Sequence, residues 1–288
     1  MITSTETAAS TDESDVSEIV IEAGKSELHY WRDLWHYREL FYFLAWRDIL
    51  VRYKQTFIGI AWAVLQPLVT TIVFTIVFEH FGKMKSDGAA PYAVMVFVAQ
   101  LPWQFFSRAL TEASNSLITN ANLVSKIYFP RLIVPASSVI TALIDFLISA
   151  ALLAVVMVFY RFAPDWRIVF APLFLLLALG VAMGAGLWFA ALNVSYRDFR
   201  IIVPFIVQIG MYASPVAFSS KYVPEKWRLL YSLNPMVGVI DGFRWSLLGG
   251  EATLYLPGLL ISVLLVALLL VTGIAYFRAT ERRFADVI

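Results

Sequence analysis

The sequence predicts an all-α integral membrane protein. It is expected to have six transmembrane helices, an N-terminal interfacial amphipathic helix before them, and a short re-entrant helical hairpin between helices 5 and 6. Three observations carry this reading. Hydrophobic residues fill 60% of the 288 positions and charged residues only 15%, where a soluble domain carries about 25% charged. Six separate apolar stretches approach or exceed the roughly 20 residues needed to cross hydrocarbon. One further stretch ahead of them places aromatics on one side of a helix and charges on the other.

Residues 1–27 are acidic, rich in Ser and Thr, and lack both a basic start and an apolar core, so they read as a disordered cytosolic tail and not as a signal peptide. Residues 28–55 form the interfacial helix. Trp31, Leu34, Trp35, Phe41, Tyr42, Ala45 and Ile49 recur near the helical period, while Arg32, Asp33, His36, Glu39, Arg47 and Asp48 fall mostly elsewhere. Residues 56–288 form the six-span domain. The spans are 57–78, 89–107 (with Pro91 and Pro102 expected to bend or end it), 132–160, 168–196, 201–220 and 252–277. Gly180, Gly184 and Gly186 give the fourth span a small-residue face suited to close helix packing.

The segment 229–240 is too short to cross, and Asn234-Pro235 breaks it. With the amphipathic stretch that follows, it reads as a hairpin dipping into one membrane face. Irregular backbone at that depth needs protein or water around it, which puts the hairpin at the mouth of a pathway. An even span count leaves both termini on one side. That side collects fourteen Lys and Arg, from Lys25 to Arg283, against eight on the other, so both termini are expected in the cytoplasm.

The composition also excludes chemistry. Net charge is +1, and no basic cluster suits nucleic acid. There are no cysteines and three histidines, His29, His36 and His80, at positions that make no metal triad. No GxxxxGK[ST] phosphate loop, HExxH or GxSxG motif occurs. Asp145 is the one ionisable side chain well inside a span. No basic partner for it is evident in the neighbouring spans, so a structural role and a role in gating or polar substrate contact both stay open. Asn193-Val194-Ser195 matches a glycosylation sequon but falls at an expected cytosolic span end. The chain therefore reads as a membrane conduit that is either passive or driven by a separate subunit. A driven conduit needs short, rigid cytosolic handles, and the segment 112–135, "EASNSLITNANLVSKIYFPRLIVP", fits one: a short helix followed by a stiff Phe129-Pro130 break.

At these residues the chain resembles the permease subunits of polysaccharide ABC exporters, within the ABC-2 type permeases. The likeness runs from about Tyr30 along nearly the whole chain. It is carried by "WRDILVRYKQTFIGIAWAVLQPL" (46–68), "NLVSKIYFPRLIVP" (122–135), "NVSYRDFRIIVP" (193–204), "SPV" (214–216) and "LNPM" (233–236). The resemblance implies a homodimer in the bacterial inner membrane, paired with two copies of an ABC ATPase that binds ATP and Mg2+, with no cofactor in this chain. The cargo it implies is a lipid-linked polysaccharide such as O-antigen.

Carried onto this sequence, the resemblance implies ATPase coupling through Asn115, Lys126, Phe129, Pro130 and Arg131, joined by Tyr196, Arg197 and Asp198. A substrate path would hold Phe57, Trp62, Gln66, Tyr212 and Ser214. An outer gate would hold Tyr231, Asn234, Pro235, Asp241 and Arg244. Aromatic faces suit sugar rings, but aromatics near span ends equally anchor in the interface. A lipid pyrophosphate would meet Arg47, Arg52 and Lys54, which equally serve as positive-inside anchors. The competing readings are an ABC-2 permease for a small drug or lipid, a membrane-embedded glycosyl- or acyltransferase, and a secondary transporter.

Overall fold

The computed structural model describes residues 27–54, 57–86, 90–249, 254–281 and 284. The expected tail up to residue 26, the start of the second and sixth spans, and Arg282 and Arg283 lie outside the described residues. Among the described residues the chain is helical, without strands: α1 Glu27–His36, α2 Arg38–Tyr53, α3 Phe57–Phe74, α4 Tyr92–Thr119, α5 Ala121–Lys126, α6 Ile133–Phe159, α7 Ala171–Ser195, α8 Phe199–Ala213, α9 Glu225–Tyr231, α10 Pro235–Leu248 and α11 Leu256–Glu281. A π-helical stretch, Thr75–Phe81, extends α3, and a 3-10 turn, Trp166–Phe170, leads into α7.

Four of these helical runs are long and apolar enough to cross a membrane: Ala61–Phe81, Ile133–Phe159, Trp166–Ser195 and Leu256–Glu281. They coincide with the first, third, fourth and sixth expected spans. The second span differs. Its helix does not end near Ser107 but runs unbroken through Pro102 to Thr119. It is the central post of the bundle, with α3, α6, α7, α8 and α10 all packed on it. Val94, Met95, Phe97, Ala99, Phe105, Ala109, Leu110 and Ala113 are buried along it. Its polar residues Gln100, Arg108, Glu112 and Asn115 face protein neighbours, so it is less apolar than a lipid-facing span. Thr71 of α3, for example, donates to Gln100 Oε1 at 2.9 Å.

The fifth span is also shorter than expected. Helix α8 stops at Ala213, and Ser214 turns to extended backbone (φ −103°, ψ 154°) because Pro215 follows it. Its 15 residues reach about 22 Å at 1.5 Å per residue, short of the ~30 Å hydrocarbon core.

The segment expected at the interface is two helices joined at Tyr37, and its faces are divided differently from the simple aromatic stripe. Leu44 and Ala45 are buried against the bundle, whereas Trp35, Tyr42, Phe43 and Trp46 point outward, with Tyr42 and Trp46 stacked at 6.4 Å. Leu44 belongs to a small core at one end of the molecule, with Phe129, Leu132, Ile133, Leu187 and Phe277. The small-residue face does what its spacing suggests: the backbones of α7 and α11 touch at Gly184 and Gly273. Trp188 stacks on Tyr276 at 4.2 Å just beside them.

Candidate functional site: the elbow, a charged joint and the opposite hairpin

The elbow forms because α4 must reverse into α6 within a few residues. Asn120 ends α4, the six-residue α5 follows, and Ile127 is extended (φ −124°, ψ 136°). Phe129 is only 4% exposed and Pro130 is buried. Both residues, expected at the ATPase-coupling surface, face inward here and plug the elbow onto the core beneath it. Arg131 is also engaged. Its backbone N–H donates to Glu281 Oε1 at 2.7 Å, and its guanidinium donates to the Glu281 carbonyl. Tyr30 of α1 donates its hydroxyl to the other Glu281 oxygen at 3.2 Å, and Arg278 lies 4.5 Å from the Tyr30 ring. Burial, with the Glu281 charge adding to it, pushes the Tyr30 hydroxyl well above its ordinary range. The elbow, the end of α11 and α1 are thus one riveted unit.

What the elbow leaves outward is Lys126, Ile127 and Tyr128, the last 71% exposed. Tyr196, Arg197 and Asp198 are exposed in the α7–α8 loop. That loop is at the same end, because Asn193 of α7 donates to Ser114 O and to Asn115 Oδ1, both at 3.0 Å. Asn115 is therefore a tie between α4 and α7. Asn193 itself is 1% exposed, so its sequon match offers no free side chain.

The largest departure from expectation lies at Asp145. Two arginines flank it, although no basic partner was legible. Arg52 Nη2 of α2 is 2.7 Å from Asp145 Oδ2, and Arg108 of α4 pairs with the same oxygen. Tyr53 donates its hydroxyl to the other oxygen. Arg52 also pairs with Glu112, whose second oxygen accepts from Thr141. Arg108 reaches on through Nη2 to Gln66 Oε1 of α3 at 3.0 Å. Two cations and two carboxylates thus bind α2, α3, α4 and α6 together, with the Asp145 side chain only 6% exposed.

Burial works against the Arg52 charge, but Glu112 and Asp145 outweigh it and the net shift is upward. Burial and the bond to Asp145 both raise the Tyr53 hydroxyl. One signal was available in the sequence. Arg108 and Asp145 are equally far from the turn at Lys126–Ile127, as are Glu112 and Thr141, so an antiparallel α4/α6 pair sets them opposite one another.

The three residues expected to meet a pyrophosphate divide. Arg52 is in the joint. Arg47 bonds Asp48 and donates to Asn120 Oδ1 at 2.6 Å. Lys54 is exposed. Among the expected path residues, Trp62, Gln66 and Tyr212 are exposed on α3 and α8; the Phe57 side chain lies outside the described residues. Ser214 does not face an open surface. It is 1% exposed and accepts from Asn234 Nδ2 at 2.9 Å.

The segment expected to form the hairpin, α9 and α10, lies at the other end of α11 from the elbow, about 39 Å away at 1.5 Å per residue for the 26 residues of α11. Asn234 caps α10 by accepting from the Met236 N–H at 3.1 Å, and Pro235 occupies the first turn, where its missing N–H costs nothing. Arg244 is 2% exposed and donates to the carbonyls of Phe218 at 2.8 Å and Val216 at 3.1 Å. It fastens the loop after α8 onto α10. Asp241 accepts from Ser220 Oγ at 2.7 Å. Tyr231 and Asp241 line a cavity of about 210 Å³ where α9 and α10 meet the start of α11.

A helical chain with four runs long and apolar enough to cross a membrane, riveted at one end and with a Pro-broken helical pair at the other, has the build of a multi-pass membrane protein. The model of the ABC-2 type transporter family matches residues 39–248, more than two thirds of the chain, and the chain belongs to that family. It is 26% identical over 249 residues to the O-antigen export system permease protein RfbA of Klebsiella pneumoniae, covering 84% of this chain and 92% of that protein. It is 28% identical over 215 residues to RfbA of Myxococcus xanthus, covering 74% and 82%. To the capsule polysaccharide export inner-membrane protein CtrC of Neisseria meningitidis it is 24% identical over 217 residues, covering 74% and 80%.

Proposed function

We propose that the chain is the transmembrane subunit of an ATP-driven exporter that moves a lipid-linked polysaccharide, such as O-antigen, across the bacterial inner membrane. The observation that carries this is the end-to-end likeness to export permeases, at up to 92% of their length. The rigid elbow supports it by supplying the handle such a subunit needs. In this reading α4 and α8 complete six spans, and α9 and α10 form the re-entrant pair. Both termini are cytoplasmic. Two copies assemble side by side, with the exposed apolar faces of α3 and α8 turned toward lipid, cargo or the second copy. Hydrolysis of ATP with Mg2+ belongs to a separate ATPase, which docks on Lys126, Ile127 and Tyr128 together with Tyr196, Arg197 and Asp198. Trp62, Gln66 and Tyr212 line the path, and Tyr231 and Asp241 serve the outer gate.

The test is co-expression with a candidate ABC ATPase from the same organism, purification in lipid, and measurement of ATP turnover and of polymer moved into proteoliposomes. Association and ATP-dependent uptake support the reading. A chain that binds no ATPase and moves no polymer overturns it.

A further inference from the structure

The charged joint has a direction that a simple clamp would lack. It starts at the end of α2, the helix that carries the outward aromatics and, through Arg47, holds the end of α4 beside the elbow. It ends at Gln66 on α3, whose side chain is exposed on the face that carries Trp62. Between them stand Asp145, which contacts three partners through its two oxygens, and Arg108, which contacts two through separate nitrogens. Asp145 takes Tyr53 on one oxygen and both arginines on the other. Arg108 gives Nη1 to Asp145 and Nη2 to Gln66.

We propose that Tyr53, Asp145, Arg108 and Gln66 form a positioning relay that makes α3 follow α2, so that a push on the cytosolic end reaches the path-lining helix. The inference rests on the exporter reading above and adds a transmission route to it. Four features of the joint support motion transfer. Its charges balance, so it has no excess to be neutralised by lipid or solvent. Its members come from four helices, of which α2 is not itself a span. Glu112 braces Arg52 from the side through a second pair, itself held by Thr141, so Arg52 cannot swing away alone. Arg108 must be arginine: a planar fork can hold a carboxylate and an amide oxygen at once, where an ammonium is a single point of charge.

That last feature gives the test. In the complex with the ATPase, reconstituted in lipid, the quantity read is polymer moved per ATP hydrolysed. Arg108→Lys keeps a cation beside Asp145 but loses the second prong to Gln66. It is expected to fold and assemble, and to lose about tenfold in that ratio, within the range typical of coupling between sites. Tyr53→Phe, which deletes one hydroxyl at the α2 end, is expected to lower the ratio about fivefold. An ion pair with a merely structural role predicts the opposite for Arg108→Lys: full coupling. If either assembled variant exports at the wild-type ratio, the relay is overturned. Should Arg108→Lys fail to assemble, Tyr53→Phe decides alone. A wild-type complex that hydrolyses ATP without export sinks the exporter reading and the relay together, whereas intact wild-type export with unchanged variants sinks the relay only.

Discussion

The crossing of α7 and α11 gives a prediction whose sign is informative. A Cβ added at Gly184 would stand 2.7 Å from the Leu269 carbonyl carbon, 2.8 Å from Leu270 N and 2.9 Å from Leu269 Cβ. Non-bonded carbons prefer about 3.5–4.0 Å, so the helices must part by roughly 1 Å. The obstructing atoms are mostly backbone, and no rotamer change relieves them. Overpacking of this kind costs about 1–3 kcal/mol. Against it stands the better helix propensity of Ala, worth about 1 kcal/mol over Gly. Packing wins on these magnitudes, because in a membrane the close approach of small residues is itself what holds helices together. Gly184→Ala should therefore be less stable by about 1 kcal/mol, lowering Tm by roughly 2–4 °C, and Gly184→Leu should lose more. The assay is thermal unfolding of the purified protein in detergent, followed by Trp fluorescence; Trp188, stacked on Tyr276 beside the crossing, is a local reporter. A Gly184→Ala protein with a higher Tm than wild type would show propensity alone at work and refute the close crossing.

Other outcomes follow from the same structure. At the elbow, Phe129→Ala empties a buried site and should cost about 3–5 kcal/mol, whereas Tyr128→Ala, at an exposed position, should change stability by less than about 0.5 kcal/mol yet weaken co-purification with the ATPase. Equal thermal stability of the two would contradict their assigned places. Glu281→Gln weakens the acceptor that serves Arg131 and Tyr30, and should cost about 1.5–3 kcal/mol, the worth of a charged hydrogen bond; limited proteolysis between α5 and α6 would register the loosened elbow. Asp145→Ala leaves two arginines facing each other, and should destabilise by about 3–5 kcal/mol, as expected when one partner of a buried pair is removed. A double variant, Asp145→Ala with Arg108→Met, should recover part of that loss, and the absence of any recovery in chemical denaturation would argue against their pairing.

The apolar runs of α6, α7 and α11 were legible because span length and hydropathy are local properties, as was the Asn234-Pro235 break, where cap and first-turn chemistry sit in adjacent residues. The small-residue stripe in α7 was legible for the same reason. What misled was also local. Pro102 looked like a bend or an end of the helix, but α4 runs on through it, packed among buried residues. The apolar run 201–220 looked continuous because hydropathy does not register that Pro215 forces Ser214 out of helical backbone. Phe129 sat in a motif with Lys126 and Arg131 and shared their expected role, yet a phenylalanine between polar neighbours is drawn inward by whatever apolar surface the turn places beneath it.

The sequence by itself determined that this chain lives in a membrane as a helical bundle and carries no hydrolytic motif of its own, because composition and periodicity are summed along the chain and need no partner. Only the tertiary structure decided which groups Asp145 meets. Its partners come from positions 52, 53 and 108, far apart in sequence, and each looked like an ordinary membrane-edge residue when read alone. A charge is stabilised by where opposite charges lie in space, and that information exists only once α2, α4 and α6 have packed.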